Sequence, residues 1–181
     1  ALREAGERLA DLPLREVVTG VGRVADRFLD SSDGLRREAI DLLQPTAGIS
    51  KEMASEILTG MARDWTEERL TELLSRELED PGVLDGFRRL DKGRRVRARG
   101  PRLTFHVGAG TVPGVSVTSM IRALLVKSAV LLKPGLGDVA LPVLFAQALA
   151  EEAPGLSDAV AVAYWPGGES PLEGLALQKA E

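Results

Sequence analysis

Two features of this chain have the residue types and spacing for chemistry: a cluster of glycines at 108–114 and a lysine at 133. The run Gly108-Ala109-Gly110-Thr111-Val112-Pro113-Gly114 follows a short apolar stretch, Leu103, Phe105 and Val107, and precedes a segment of helical periodicity. Glycines in such a turn let the backbone approach a ligand and take positive φ, while the following helix points its first N–H groups toward whatever lies above it. An anion such as a nucleotide phosphate suits that position. The spacing, GxGxxxG, is one residue longer than the usual dinucleotide fingerprint, and no acidic residue directly ends the second strand to hold a ribose. Lys133 stands there instead, immediately before Pro134-Gly135. It offers a charge to a phosphate or a donor to ribose hydroxyls, which suits a phosphorylated ribose better than a free diol. Its other reading is a solvated strand end, since strand ends are normally wet.

Other candidates are weaker. The one histidine, His106, alternates with Phe105 and Val107 along the first strand, which favours a hydrogen-bonded structural role over a proton shuttle. Tyr164 and Trp165 could stack on a ring, although aromatics beside a strand more commonly join the core. Between Arg88 and Arg102 the chain carries Arg88, Arg89, Lys92, Arg94, Arg95, Arg97, Arg99 and Arg102 against the single acid Asp91. That stretch is either an anion site or a strand with one solvated face. The period-two alternation of Arg95, Arg97 and Arg99 with Val96 and Ala98 favours the second, as does the lack of interleaved aromatics.

Composition narrows the chemistry further. The chain has 181 residues, no cysteine and one histidine, which removes disulfides, thiolate metal sites and any cysteine nucleophile from the chain itself, and no metal site is expected. A net charge of -4 argues against general attraction to nucleic acid or anionic membrane. The opening ALREAGERLADLP lacks the apolar core of a signal peptide, and the stretch Ala123–Leu132 is interrupted by Lys127 and Ser128. A soluble cytoplasmic protein is the expectation.

The elements that must position these residues read as follows. Leu14, Val17, Val18, Val21, Val24, Ala25 and Phe28 form one helical stripe, weakened locally by Gly20 and Gly22. A second helix through Ile40 and Leu43 is expected to stop near Pro45. Ser50 should cap a third carrying Met53, Ile57 and Met61, and Thr66 a fourth carrying Leu70, Leu73 and Leu74. After the glycine turn, Val117, Met120, Ile121, Leu124 and Leu125 form a stripe. Ala129–Leu132 reads as a buried parallel strand. Asp138 can then cap a helix bearing Leu141, Leu144, Phe145, Ala148 and Leu149, and Ala159–Tyr164 reads as a third strand. It is followed by the turn Trp165-Pro166-Gly167-Gly168 and by Ser170-Pro171-Leu172-Glu173, a capping-box pattern. The fold class is therefore α/β: a helical N-terminal half followed by a partial Rossmann-like βαβαβα parallel sheet. The expected division is a helical region 1–87, a basic connecting strand or linker 88–102, and a partial dinucleotide-binding domain 103–181. Ligands in such sheets sit beyond the carboxyl ends of the strands.

The run FHVGAGTVPGVSVTSMIRALLVKSAVLLKPG, followed by AVAVAYWPGGE and preceded by FLDSSDGLRREAIDLL and DPGVLDGF, resembles the LuxC-type acyl-CoA reductases, the fatty acid reductases of bacterial bioluminescence within the aldehyde dehydrogenase superfamily. The resemblance implies NADPH-dependent reduction of a fatty acyl thioester to an aldehyde, through a cysteine in a second domain. It implies that Lys133, with Pro134 and Gly135, meets the adenosine ribose or its 2′-phosphate. Gly108, Ala109, Gly110 and Thr111 would lie beneath the nicotinamide half, and Pro166, Gly167 and Gly168 near the adenosine. Thr111 stands where the superfamily usually has an asparagine that helps hold the substrate oxyanion, so that role is in question. Leu136 replaces the glutamate of many NAD-preferring relatives, which removes a repulsion against a 2′-phosphate.

Two readings of function follow. In the first, the chain is the amino-terminal, cofactor-binding part of an acyl-CoA reductase, inactive alone, whose acyl-CoA or acyl-protein thioester would be handled by a domain outside it. In the second, it is a non-catalytic nucleotide-binding or interaction module derived from that family. Such a module, with an open sheet edge after the third strand, could form a homo-oligomer. Neither nucleic acid nor membrane is an expected partner.

Overall fold

A computed structural model describes residues 1–89, 93–168 and 171–180. Five helices come first: α1 (Leu2–Asp11), α2 (Leu14–Leu29), α3 (Gly34–Ala47), α4 (Lys51–Asp64) and α5 (Glu67–Glu77). A short antiparallel hairpin, β1 (Arg88–Arg89) and β2 (Arg95–Val96), leads into β3 (Leu103–Val107), α6 (Val115–Leu125), β4 (Ala129–Lys133), α7 (Ala140–Glu152), α8 (Pro154–Ser157), β5 (Val160–Val162) and α9 (Pro171–Lys179). Strands β3, β4 and β5 form a parallel sheet in that order, with Phe105 opposite Leu131, Val107 opposite Lys133, and Leu131 opposite Ala161. The expected α/β alternation is present, with a helical half ahead of it.

Side chains alternate across the sheet. His106 turns toward α6, where its Nδ1 lies 2.8 Å from Ser119 Oγ. Ala129 faces the opposite way, against Gly6 of α1, where a Cβ would meet the Ala129 methyl and collide with the Arg102 carbonyl. Helix α9 is tied to α1 by the Arg3 guanidinium, which donates to the Lys179 carbonyl at 2.6 Å. Helices α6 and α7 thus cover one face and α1 with α9 the other, while α2 to α5 pack outside α6 and α7. Most of the buried apolar residues form one cluster from Ala5 to Ala159. At its centre Trp65 packs edge-on between Phe28 and Phe145, with 6.0 Å between ring centroids in each pair, and donates its indole N–H to Thr118 Oγ1. Burial of each such ring contributes about 2–3 kcal/mol.

Several local expectations change on contact with the rest of the molecule. Gly20 and Gly22, expected to weaken α2 locally, lie inside a continuous helix. They are points of closest approach, where a Cβ at 20 would meet Ala153 and Leu156 at 2.8 Å and one at 22 would meet Glu67 at 3.0 Å. Helix α3 runs past Pro45 to Ala47, because a proline in the last turn displaces only a hydrogen bond near the helix end, and Gly48 at φ 68° terminates it. Ser50 caps α4 through the Met53 N–H at 3.2 Å. Thr66 occupies the N-cap of α5, but its hydroxyl donates back to the Arg63 carbonyl. Within the arginine-rich stretch β1 and β2 pair antiparallel, and the regular part ends at Val96, because the Ala98 N–H donates to the Val83 carbonyl and leads the chain away. Its strand residues are solvent-exposed, and Arg95 lies over the Phe87 ring at 5.5 Å. The third strand is shorter than expected. Lys92, Asp91 and the capping residue Ser170 lie outside the described residues, whereas Pro171 does open α9.

Candidate functional site

The three strand ends meet where expected, beyond Val107, Lys133 and Val162. Gly108 continues the ladder by donating its N–H to the Lys133 carbonyl at 2.8 Å. A Cβ there would displace Ser116 Oγ and press on the Pro134 backbone at 3.3 Å. Ala109, Gly110 and Thr111 follow on the surface, and Thr111 makes no hydrogen bond among the described residues. Gly110 is pressed against the loop after β4: a Cβ on Gly135 would strike the Gly110 nitrogen, and one on Gly137 the Gly110 carbonyl. These glycines therefore serve loop-on-loop packing, in addition to any ligand approach. Gly114, at φ 92°, opens α6 against Met61.

The N-terminus of α6 differs from the sequence expectation. Asp138 was expected to cap α7, yet α7 has no side-chain cap, and the Asp138 carboxylate reaches back to α6. There it accepts the Gly114 N–H at 2.8 Å and the Ser116 N–H at 3.0 Å. Asp138 is fully buried. Burial pushes its carboxyl above the ordinary range, and the two N–H bonds pull only partly against that. Two of the N–H groups that would have welcomed an external anion are thus occupied from within. Nothing local signals this, because the partners lie more than twenty residues upstream.

The other half of the site is built around Lys133. Its side chain is 7% exposed, and its Nζ lies 5.7 Å from the centroid of the Trp165 ring. No carboxylate pairs with it among the described residues. Trp165 is itself buried and stacks on Phe105 at 6.0 Å and 10°, so Phe105, Trp165 and Lys133 form a column on the face opposite His106. The Trp165 indole N–H is buried without a hydrogen-bond partner among the described residues. Pro134 is buried and Gly135 half-buried, whereas Pro166, Gly167 and Gly168 are exposed, with Gly168 at φ 119°. Leu136 is 71% exposed. His106 is half-buried, which lowers its affinity for a proton, and with Ser119 it ties β3 to α6.

Sequence reasoning also missed a second buried lysine. Lys127, 6% exposed and in the left-handed region at φ 60°, donates to Asp85 Oδ1 at 2.6 Å. Asp85 also accepts the Leu14 N–H at 2.8 Å. This pair lies at the opposite end of β4 from Lys133 and joins the sheet to the start of α2. No described helix is long and apolar enough to cross a membrane.

Comparison with known proteins fits this geometry. A search of curated proteins found no match. Among solved structures, the chain is similar to gamma-glutamyl phosphate reductase from Thermotoga maritima, with a TM-score of 0.58 at 18% identity. The likeness covers 99% of this chain and 50% of that one; at this identity it shows the fold, and the chain spans about half the length of that protein. The family model of the acyl-CoA reductases (LuxC) matches residues 9–181. The chain belongs to the acyl-CoA reductase (LuxC) family.

Proposed function

We propose that this chain is the cofactor-binding part of an NADPH-dependent acyl-CoA reductase that converts a fatty acyl thioester to an aldehyde. Lys133 carries the reading: a buried ammonium at the carboxyl end of the central strand, paired with no carboxylate among the described residues. Burying an ammonium without a counter-charge costs several kcal/mol, of which the face of Trp165 returns up to about 2 kcal/mol. A ribose 2′-phosphate supplies the missing partner. The exposed Leu136, which brings no negative charge, fits the same anionic group.

In this reading Lys133, Pro134, Gly135, Pro166, Gly167 and Gly168 receive the adenosine end, and Gly108, Ala109, Gly110 and Thr111 underlie the nicotinamide half. Bound NADPH would supply the hydride. The residues of this chain hold and orient. Lys133 fixes the phosphate, and the glycine turn offers backbone without side chains to a flat ring. With no cysteine in the sequence, the thiolate that accepts the acyl group would come from outside these 181 residues, and the chain alone would bind cofactor without turnover.

Calorimetric titration of the chain and of Lys133→Met with NADPH and NADH tests this. The unaltered chain should bind NADPH more tightly than NADH, and the substitution should abolish the difference. Equal NADPH affinity in both chains would remove Lys133 from the site.

A further inference from the structure

The carboxylate of Asp138 does what the sequence assigns to a ligand. Among the described residues it has no cationic partner; its two oxygens are satisfied by the backbone N–H groups of Gly114 and Ser116 at the start of α6. A helix N-terminus holds an anion through those groups and through its dipole. Here the anion is built in, fully buried, and supplied by the loop that leaves β4 at Lys133. The same loop presses Gly135 and Gly137 on Gly110. The glycine turn and the lysine loop are therefore fastened at two points: backbone against backbone at Gly110, and carboxylate to helix start at Gly114 and Ser116.

We infer that Asp138 is a positioning residue of the cofactor site: by filling the α6 N-terminus it bars phosphate from the glycine turn, and it fixes that turn against the Lys133 loop. The inference deepens the cofactor reading above and rests on it. One consequence is a division of labour. Phosphate recognition falls to Lys133, and the turn at Gly108–Thr111 is left to an uncharged or positively charged ring, which an internal carboxylate tolerates or favours. Losing the fastening would then harm a ligand that spans both loops and spare one that touches the lysine loop alone.

The test uses the 181-residue chain, Asp138→Asn, and two ligands. One is NADPH; the other is adenosine 2′,5′-bisphosphate, which bears the 2′-phosphate but no nicotinamide. In Asp138→Asn one of the two N–H groups loses its acceptor, so NADPH should bind about tenfold more weakly while the bisphosphate stays within about twofold. A merely structural role would change both ligands alike or neither, and either result overturns the inference. Asp138→Ser, which keeps a single hydroxyl oxygen as acceptor at that position, serves if the asparagine chain does not fold. An independent arm needs no variant. Inorganic pyrophosphate should leave the Gly114 and Ser116 amide resonances of the unaltered chain in place, and a saturable shift at both would overturn the inference. A chain that binds neither NADPH nor the bisphosphate overturns the cofactor reading and this inference with it. One that binds both, with equal losses in the variant, overturns the inference alone.

Discussion

Strand β4 has a buried lysine near each end, and the two are held in opposite ways. Lys127, just before the strand, is 6% exposed and donates to Asp85 at 2.6 Å, with the Ala10 carbonyl at 3.4 Å. Lys133, its last residue, is 7% exposed, and among the described residues its ammonium has the Trp165 ring at 5.7 Å and no carboxylate. The first is a completed interaction that also recruits the Leu14 N–H, so the chain is stapled at the amino end of the sheet. The second is incomplete at the carboxyl end, where ligands of parallel sheets bind. Equal burial goes with unequal pairing: one lysine has a carboxylate partner, and the other has none among the described residues.

The largest effect should come from breaking the completed pair. Lys127→Met keeps the apolar stem, removes the ammonium and leaves Asp85 without its cation. Asp85 is 36% exposed, so solvent softens the loss to about 2–3 kcal/mol, measured by urea unfolding at pH 7. A loss below about 0.5 kcal/mol, the level of an ordinary surface change, would erase the contrast. Next in size, Lys133→Met should weaken NADPH binding roughly thirtyfold and leave unfolding stability unchanged or improved, since it removes a buried charge that has no carboxylate partner. Instability in that chain, with NADPH binding intact, would make Lys133 structural too.

The contrast should also depend on pH. Desolvation pushes the Asp85 carboxyl up, but the Lys127 ammonium and the Leu14 N–H together outweigh it, so it lies below the ordinary range. A depressed folded-state value means that the pair's contribution is complete above the unfolded carboxylate range and is lost as pH falls through the folded value. The stability gap between the unaltered chain and Lys127→Met should therefore narrow as pH falls from 7 through that value. A constant gap would show that the ion pair is not its source. Asp138 works the other way: burial raises its carboxyl, so its charged form costs stability as pH rises through the folded value.

The smallest effect concerns Trp165. Trp165→Phe keeps a ring against Phe105 and beneath Lys133 but removes the unpaired buried N–H, and should raise stability by up to about 1 kcal/mol. NADPH affinity should fall by no more than about threefold, the loss of part of the cation–ring attraction. A tenfold fall would make the indole N–H a ligand donor alongside Lys133.

Much of the fold was legible because it rests on local periodicity. The stripe from Val117 to Leu125, the unbroken run Ala129–Leu132 and the Ser50 cap each report on their own neighbours, and each appears in the structure. The position of Lys133 at a strand end was legible for the same reason. Its isolation was not, since the absence of a carboxylate nearby depends on what the rest of the chain brings or fails to bring.

The sequence alone determined the four helices from Leu14 to Glu77, the strand–helix alternation after Leu103, the glycine turn, the placement of Lys133 and the lack of any thiol, because these follow from residue type and from spacings of two and about four; helix α1, the β1–β2 pairing and α8 emerged only in the fold. Tertiary structure decided which glycines serve packing, as at Gly20, Gly22, Gly110 and Gly135. It also decided that Asp138 satisfies α6 and not α7, and that of two buried lysines one has a carboxylate partner and the other none among the described residues. Those outcomes turn on contacts between segments far apart in the chain, where a carboxylate goes to the strongest unsatisfied donors within reach and no local pattern records which those will be.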